Sequence, residues 1–189
     1  MQIFRNSDRI VSPWRNGGGV TAEIVVSPQG ANFEDMDWRA SLARVEQDGP
    51  FSSFPGVDRV LTVVDGDMSL RLNEGPAVKI DAATSPLSFP GETSIQARTS
   101  SGASVLNIFV RRGHWRATAE RLTVSAPRSF PVDPPALVYA VDDLSVRVGD
   151  TAKALHAGDA ILLKTPAELR LSAPGPSARS VVVRLFPIA

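Results

Sequence analysis

Short apolar stretches, interrupted by proline or glycine about every 8–12 residues, run along the whole chain. This spacing predicts many short β-strands, and no segment shows the 3.6-residue apolar stripe of an amphipathic helix. The predicted strands fall into two series. The first comprises 21–26, 38–46, 60–64, 68–72, 78–80, 94–97 and 105–110, and the second 137–141, 144–148, 160–163, 168–171 and 181–186. The prolines between 127 and 135 predict a connection between the two halves.

The two series are related by an internal repeat. A shift of 76 positions places residues 61–110 on residues 137–186 without a gap, and eleven of the fifty aligned positions are identical. The segment DMSLRL at 67–72 meets DLSVRV at 143–148. Because the apolar and polar positions keep their phase as well, the chain contains two copies of one all-β unit.

A unit of about fifty residues cannot bury both faces of its strands as an open sheet. The sequence therefore predicts an all-β protein of two small antiparallel β-barrels (jelly-roll type). We expect the first barrel, with additional N-terminal strands, over 1–115 and the second, a structural partner, over 116–189, packed as one compact unit.

Composition narrows the functional classes. Twenty Lys and Arg balance twenty Asp and Glu, so no net charge attracts nucleic acid. Cysteine is absent, which removes disulfides and thiolate sites. No apolar run reaches the roughly 20 residues of a spanning helix, and the first ten residues lack a signal-peptide pattern. We expect a cytoplasmic protein with neither nucleic-acid nor membrane partners.

Three motifs resemble those of one protein family. They are WRNGGGVTAEI at 14–24, WRASLARVE with GPFSSFPGVDR over 38–59, and LNIFVRRG at 106–113. Together they are similar to the signature segments of the HutD/Ves family of double cupins, or bicupins. The resemblance implies a bicupin fold, a link to bacterial histidine utilisation, and a small-ligand binder or regulator.

Many cupins bind a transition metal through a His-x-His pair, a glutamate and a later histidine. This chain has only His114 and His156, which are 42 positions apart and form no such pair. We therefore predict no metal site and no cofactor.

Candidate ligand-binding residues concentrate in the first repeat. Alternation along 38–45 puts Arg39 and Ser41 on one face. If that face lines the barrel, Arg39 suits a carboxylate, and if the strand lies at an edge, Arg39 is simply solvated. Arg59 is either a second cation at the mouth of the barrel or an ion-pair partner of Asp58 or Glu23. Glu23 and Thr21 share a face of their strand, where Glu23 is either a hydrogen-bond acceptor in the pocket or a counter-ion to Arg39 or Arg59.

Other candidates are a glycine-rich turn and two polar residues. Asn16, Gly17 and Gly18 either present backbone N–H groups to an anion or form a simple turn. Ser52 is a further hydrogen-bonding candidate. Asn107 is polar within an apolar strand and needs a partner, which is either the backbone or a ligand. In the second repeat, Val183 replaces Asn107 and Pro135 replaces Arg59, which points to the first barrel as functional.

The sequence thus favours a metal-independent regulatory protein that binds a small carboxylate metabolite in the first barrel. By family analogy the ligand is of the urocanate or N-formylglutamate type. The alternative is a metal-independent isomerase, lyase or hydrolase with Glu23 as general base, and a protein-interaction scaffold is a third reading. A homodimer through sheet edges also stays open.

Overall fold

β-Strands make up the fold, with one short 3₁₀ helix at Asn6–Asp8. The computed structural model describes residues 1–188, and no helix in that range is long and apolar enough to cross a membrane. The strands are β1 (Gln2–Phe4), β2 (Val11–Pro13), β3 (Gly19–Ser27), β4 (Trp38–Val45), β5 (Gly49–Pro50), β6 (Val57–Leu72), β7 (Ala77–Asp81), β8 (Leu87–Pro90), β9 (Ile95–Arg98), β10 (Ala103–Arg111), β11 (Trp115–Val124), β12 (Arg128–Val132), β13 (Ala136–Ala140), β14 (Leu144–Val148), β15 (Thr151–Leu155), β16 (Ala160–Leu163), β17 (Ala167–Ser172) and β18 (Ala178–Pro187).

The described chain forms two compact units. The first-repeat unit comprises 10–116 together with residues 187 and 188. The second-repeat unit comprises 1–9 and 117–186.

The first-repeat unit is built around β6, a strand of 16 residues. Its first half pairs with β10 and β8, and its second half pairs with β7 and β9. Gly66 allows the change of partners: its φ is +73°, and an added Cβ would lie 2.3 Å from the carbonyl oxygen of Gly102. The two predicted strands 60–64 and 68–72 are therefore one continuous strand.

Strands β2, β3 and β4 extend the same sheet beyond β10. Alternating side chains of β4, β6 and β10 bury an apolar core that includes Leu61, Val63, Leu70 and Val105. The N-terminal segment from residue 10 onward thus supplies the additional strands that the sequence predicts for this unit.

The second-repeat unit contains two sheets with the strand orders β1-β16-β13-β18-β11 and β12-β17-β14-β15. Its core is almost wholly aliphatic and includes Val138, Val146, Ile161, Leu171 and Val182. In β17 buried and exposed residues alternate, as the two-residue period of a half-buried strand requires.

Strand pairing preserves the internal repeat. Val105 of β10 pairs with Val63 of β6, and at 76 positions further on Val181 of β18 pairs with Tyr139 of β13. Because the register is the same in both units, the repeat inferred from sequence is a repeat of strand pairing.

The structure contains strands that the sequence pattern did not predict, notably β8, β11 and β15. Two further regions differ from the sequence expectation in their placement or role. Residues 1–9, expected with the first barrel, belong to the second-repeat unit because β1 pairs with β16. The proline-rich stretch is not a plain connection, because it contains β12, which pairs with β17. Pro131 is tolerated there because β12 is an edge strand, where a missing N–H leaves no gap in the ladder.

Asp159 anchors the N-terminal segment within the second-repeat unit. It is 3% exposed and accepts hydrogen bonds from Arg5 Nη1 at 2.6 Å, from the Asn6 amide at 2.8 Å and from the His156 amide at 3.0 Å. Burial by itself raises the pKa of Asp159, but these hydrogen bonds act in the opposite direction and bring the pKa below its ordinary value.

Candidate functional site

A cavity of about 740 Å³ opens in the first-repeat unit. Its walls come from β3, β4, β6 and β10, from the β2–β3 turn, and from the segments around Phe33 and 50–54. The polar or charged side chains that line it belong to Arg15, Asn16, Thr21, Arg39, Ser41, Ser52, Arg59 and Asn107.

Strand register brings the central residues together. Phe109 of β10 pairs with Arg39 of β4 on one side and with Arg59 of β6 on the other. Two positions along, Asn107 pairs with Ser41 on β4. Since alternate residues of a strand point to the same face, these two rows project into the cavity together.

Arg59 is the most unusual group in the cavity. It is 5% exposed, and its Nε and Nη2 donate to Oδ1 of Asn107 at 3.1 and 2.7 Å. The guanidinium carbon lies 5.0 Å from the ring centre of Phe51, 5.5 Å from that of Phe89 and 5.3 Å from that of Phe109.

No carboxylate compensates this cation: within residues 1–188, no Asp or Glu is in ion-pair contact with Arg59. Burial lowers the pKa of Arg59 to about 9, so the side chain stays charged at neutral pH at a free-energy penalty. A buried, charged group without a counter-ion is a strong electrostatic attractor for an anion.

Arg39 differs from Arg59 because it has a counter-ion. Its Nε lies 2.9 Å from Oε2 of Glu23, outside the direction of the N–H bond, so the contact is an ion pair rather than an aligned hydrogen bond. The guanidinium carbon also lies 4.8 Å from the centre of the Phe33 ring. Arg39 therefore has a carboxylate at ion-pair distance, unlike Arg59.

Aromatic side chains form the remaining walls. Trp14 Nε1 donates to Oγ1 of Thr21 at 2.7 Å, and its ring meets Phe51 edge to face at a centroid distance of 6.0 Å. Phe33, Phe54 and Phe109 pack together, with centroids 4.6–5.2 Å apart. The cavity therefore combines a donor-rich floor with apolar walls, which is the usual composition of a small-molecule site.

Seven of the ten sequence-predicted residues line the cavity, namely Asn16, Thr21, Arg39, Ser41, Ser52, Arg59 and Asn107. Glu23 does not line it. Of the roles considered for Glu23, the structure supports the counter-ion to Arg39, and no geometry in the described chain favours Glu23 as general base.

Gly17 and Gly18 also lie outside the cavity lining. The Gly17 amide donates to the carbonyl oxygen of Trp14 at 3.0 Å, and the Gly18 amide donates to Oδ1 of Asn16 at 3.1 Å. Both donors are used within the turn and are not presented to an anion. Gly19 has a separate structural role, because a Cβ there would lie 2.1 Å from the carbonyl oxygen of Arg44 on the paired strand.

Sequence reasoning missed Arg15, Phe33 and Phe109 as lining residues. Phe109 could have been found, since it lies two positions after Asn107 and shares its face. Arg15 stands in the glycine-rich motif but in no periodic segment, and Phe33 lies in a loop, so alternation carries no information about either.

The described residues offer no metal-binding cluster: within 1–188, no three His, Cys, Asp or Glu side chains lie close enough to bind one ion. His156 is exposed, with Nδ1 3.6 Å from Oδ2 of Asp143, and neither histidine lines the cavity. Among the described lining residues there is no His, Asp, Glu, Lys, Cys or Tyr, the usual acid–base groups.

A family model for HutD matches residues 6–180 of the chain. The chain belongs to the HutD family. Among relatives, it is 36% identical over 107 residues to an uncharacterised 21.2 kDa protein of the hutC 3′ region of Pseudomonas putida. It is also 34% identical over 119 residues to Protein Ves of Citrobacter koseri. These matches cover 54% and 62% of this chain and 54% and 61% of the relatives' lengths, so the chain spans less than two thirds of the curated relatives it matches.

Solved structures agree with the HutD assignment at the level of fold. HutD from Pseudomonas fluorescens SBW25 is similar with a TM-score of 0.84 at 24% identity, covering 100% of this chain and 99% of that one. A cupin 2 conserved barrel domain protein from Leptotrichia buccalis is similar with a TM-score of 0.63 at 12% identity, covering 98% and 96% of the two chains. The HutD-family chain described here therefore has a cupin-type all-β fold.

Proposed function

We propose that this protein is a metal-independent binder of a small carboxylate metabolite, with the ligand held in the cavity of the first-repeat unit. The observation that carries the proposal is Arg59, which is buried, charged and without a counter-ion among the described residues. A carboxylate would supply the missing negative charge and accept directed hydrogen bonds from the guanidinium.

The other lining groups fit the same ligand. Ser41, Ser52, Thr21 and Asn16 provide hydroxyl and amide groups around the charge, and the phenylalanine rings enclose an apolar or planar body. The absence of an acid–base side chain among the described lining residues favours binding over turnover.

The names of the relatives support a link to histidine utilisation, and we propose that the role of the bound ligand is regulatory. The Pseudomonas putida relative is named for its position beside hutC, and the fold matches a protein named HutD. On this basis the ligand is of the urocanate or N-formylglutamate type. The division into two cupin barrels, the cytoplasmic location and a homodimer stay predictions.

The test is thermal unfolding of chelator-treated protein in the presence of urocanate, N-formylglutamate and unrelated small carboxylates. A ligand that binds the native state raises Tm with increasing concentration. We expect such a rise for wild type and its loss in Arg59→Met. Absence of a shift with every carboxylate, or an undiminished shift in Arg59→Met, would contradict the proposed function.

A further inference from the structure

The residue that holds Arg59 is an amide and not a carboxylate. Oδ1 of Asn107 accepts hydrogen bonds from both Nε and Nη2 of the arginine, and Asn107 is itself 4% exposed. A carbonyl oxygen of an amide satisfies hydrogen bonds but carries no net charge. The guanidinium is thus fixed in position while its positive charge is left uncompensated.

Several other arginines of this chain are held by carboxylates, whereas the half-buried Arg9 and Arg111 donate to amide or backbone oxygens. Arg112 is held by Asp58 and Glu92, Arg179 by Asp142, and Arg5 by Asp159. Each of these arginines is more exposed than Arg59, and each has a carboxylate partner. The arginine for which charge burial is most unfavourable therefore has a neutral partner.

An aspartate would occupy almost the same volume as Asn107 and would neutralise Arg59. Breaking or omitting the partner of a buried charge is strongly destabilising, so stability alone favours the carboxylate at this position. A residue that is unfavourable for stability inside a binding cavity indicates a functional constraint.

We propose that Asn107 is the positioning residue that keeps the charge of Arg59 available for the ligand. The inference rests on the proposed function and adds the feature that selects the ligand's ionisation state. Because Oδ1 of Asn107 already accepts hydrogen bonds from Arg59, Asn107 can offer a ligand only the N–H donors of its Nδ2 group. Arg59 likewise offers a ligand only N–H donors. The floor of the cavity therefore selects an ionised carboxylate over the isosteric carboxamide, whose NH₂ group would meet other donors.

The decisive variant is Asn107→Asp. It retains an acceptor for both N–H groups of Arg59 but supplies an internal negative charge that competes with the ligand. We expect a folded protein with a higher Tm than wild type in the absence of ligand. We also expect the affinity for urocanate and N-formylglutamate, measured by titration calorimetry, to fall on the order of 100-fold.

Two further variants separate charge from hydrogen bonding. Asn73→Asp is the matched control: Asn73 Oδ1 accepts a hydrogen bond from the Ser94 amide, lies outside the cavity lining, and keeps that bond as a carboxylate. Asn107→Thr retains a neutral oxygen acceptor beside Arg59, and we expect it to lose no more than about tenfold in affinity. For wild type we also expect urocanate to bind at least about tenfold more tightly than its carboxamide.

The binding and stability of the Asn107 variants decide whether Asn107 keeps the charge of Arg59 available. Loss of binding in Asn107→Asp, with Asn73→Asp unaffected and Asn107→Thr retained, supports the proposal. Wild-type affinity in Asn107→Asp, unfolding of that variant, or equal binding of urocanate and its carboxamide would show that Asn107 is merely a structural acceptor. If wild type binds neither carboxylate, the proposed function is wrong, and this inference, which rests on it, is wrong as well.

Discussion

Replacing Arg59 and its partner with apolar residues tests whether the site is built for binding at the expense of stability. The perturbation is the double substitution Arg59→Met with Asn107→Leu, which removes the buried charge and the acceptor together and leaves no unpaired polar group. It approximately conserves volume among Phe51, Phe89 and Phe109.

The size of the expected change in unfolding free energy follows from the pKa of Arg59. Its fall from the ordinary arginine value to about 9 corresponds to ~5 kcal/mol of unfavourable free energy. Because the folded-state pKa is lowered and lies above 7, the native state still binds the proton at neutral pH and the whole penalty is present there. The two hydrogen bonds to Asn107 offset ~3 kcal/mol of this penalty. The three ring contacts offset about 0.5 kcal/mol or more each, so at most a small net penalty remains.

We therefore expect the double variant to be at least as stable as wild type, as is often seen when buried ionic groups are replaced by apolar ones. Tryptophan fluorescence during urea unfolding measures this directly. Trp14, Trp38 and Trp115, the three tryptophans of the chain, all lie in the first-repeat unit, so the signal reports on the unit that carries the change.

The same variant should show no rise in Tm with urocanate or N-formylglutamate. Arg59→Met alone is the matched comparison, because it leaves the buried Asn107 oxygen without its donor and should be less stable than the double variant. A double variant that is ~2 kcal/mol or more less stable than wild type would refute the reasoning, since Arg59 would then be a stabilising element of the core.

Three further predictions concern other parts of the chain. Glu23→Gln removes the counter-ion of Arg39, and we expect the unfolding free energy to change by less than ~1 kcal/mol. The carboxylate affinity measured by calorimetry should rise several-fold, and weaker binding would contradict this prediction. Gly19→Ala should destabilise the first-repeat unit by ~3 kcal/mol in urea unfolding because of the clash with Arg44, while a neutral result would argue against the close approach of β3 and β4. Asp159→Asn should destabilise the second-repeat unit by ~2 kcal/mol at pH 7. The pKa of the Asp159 carboxyl is lowered in the folded state, so wild type loses its extra stability over Asp159→Asn as the pH falls below about 4. Below that pH, the hydrogen-exchange rates of the β1 amides should become equal in the two proteins.

Much of the fold follows from local sequence pattern. Two-residue alternation identified β4 and placed Arg39 and Ser41 on the face that lines the cavity. The 76-residue repeat predicted equivalent strand pairing, which Val105 with Val63 and Val181 with Tyr139 display. The polar Asn107 in an apolar strand signalled a buried partner without identifying it.

Long-range contacts decided the rest. The pairing of β1 with β16 joins residues more than 150 positions apart, and a three-residue strand carries too little pattern to specify such a partner. The glycine-rich turn has the composition of an anion-binding loop, yet its amides donate to Trp14 and Asn16. Only the folded turn shows which donors are already used.

By itself, then, the sequence determined the all-β class, the repeat and most of the polar residues of the cavity, because alternation and composition are properties of neighbouring residues. The tertiary structure decided that Arg59 donates hydrogen bonds to Asn107, 48 positions away in the sequence. It also decided that Glu23 is the counter-ion of Arg39 and not of Arg59. Which cation is left without a counter-ion depends on the register between strands that are distant in the chain, and that register is fixed only when the whole sheet closes over its core.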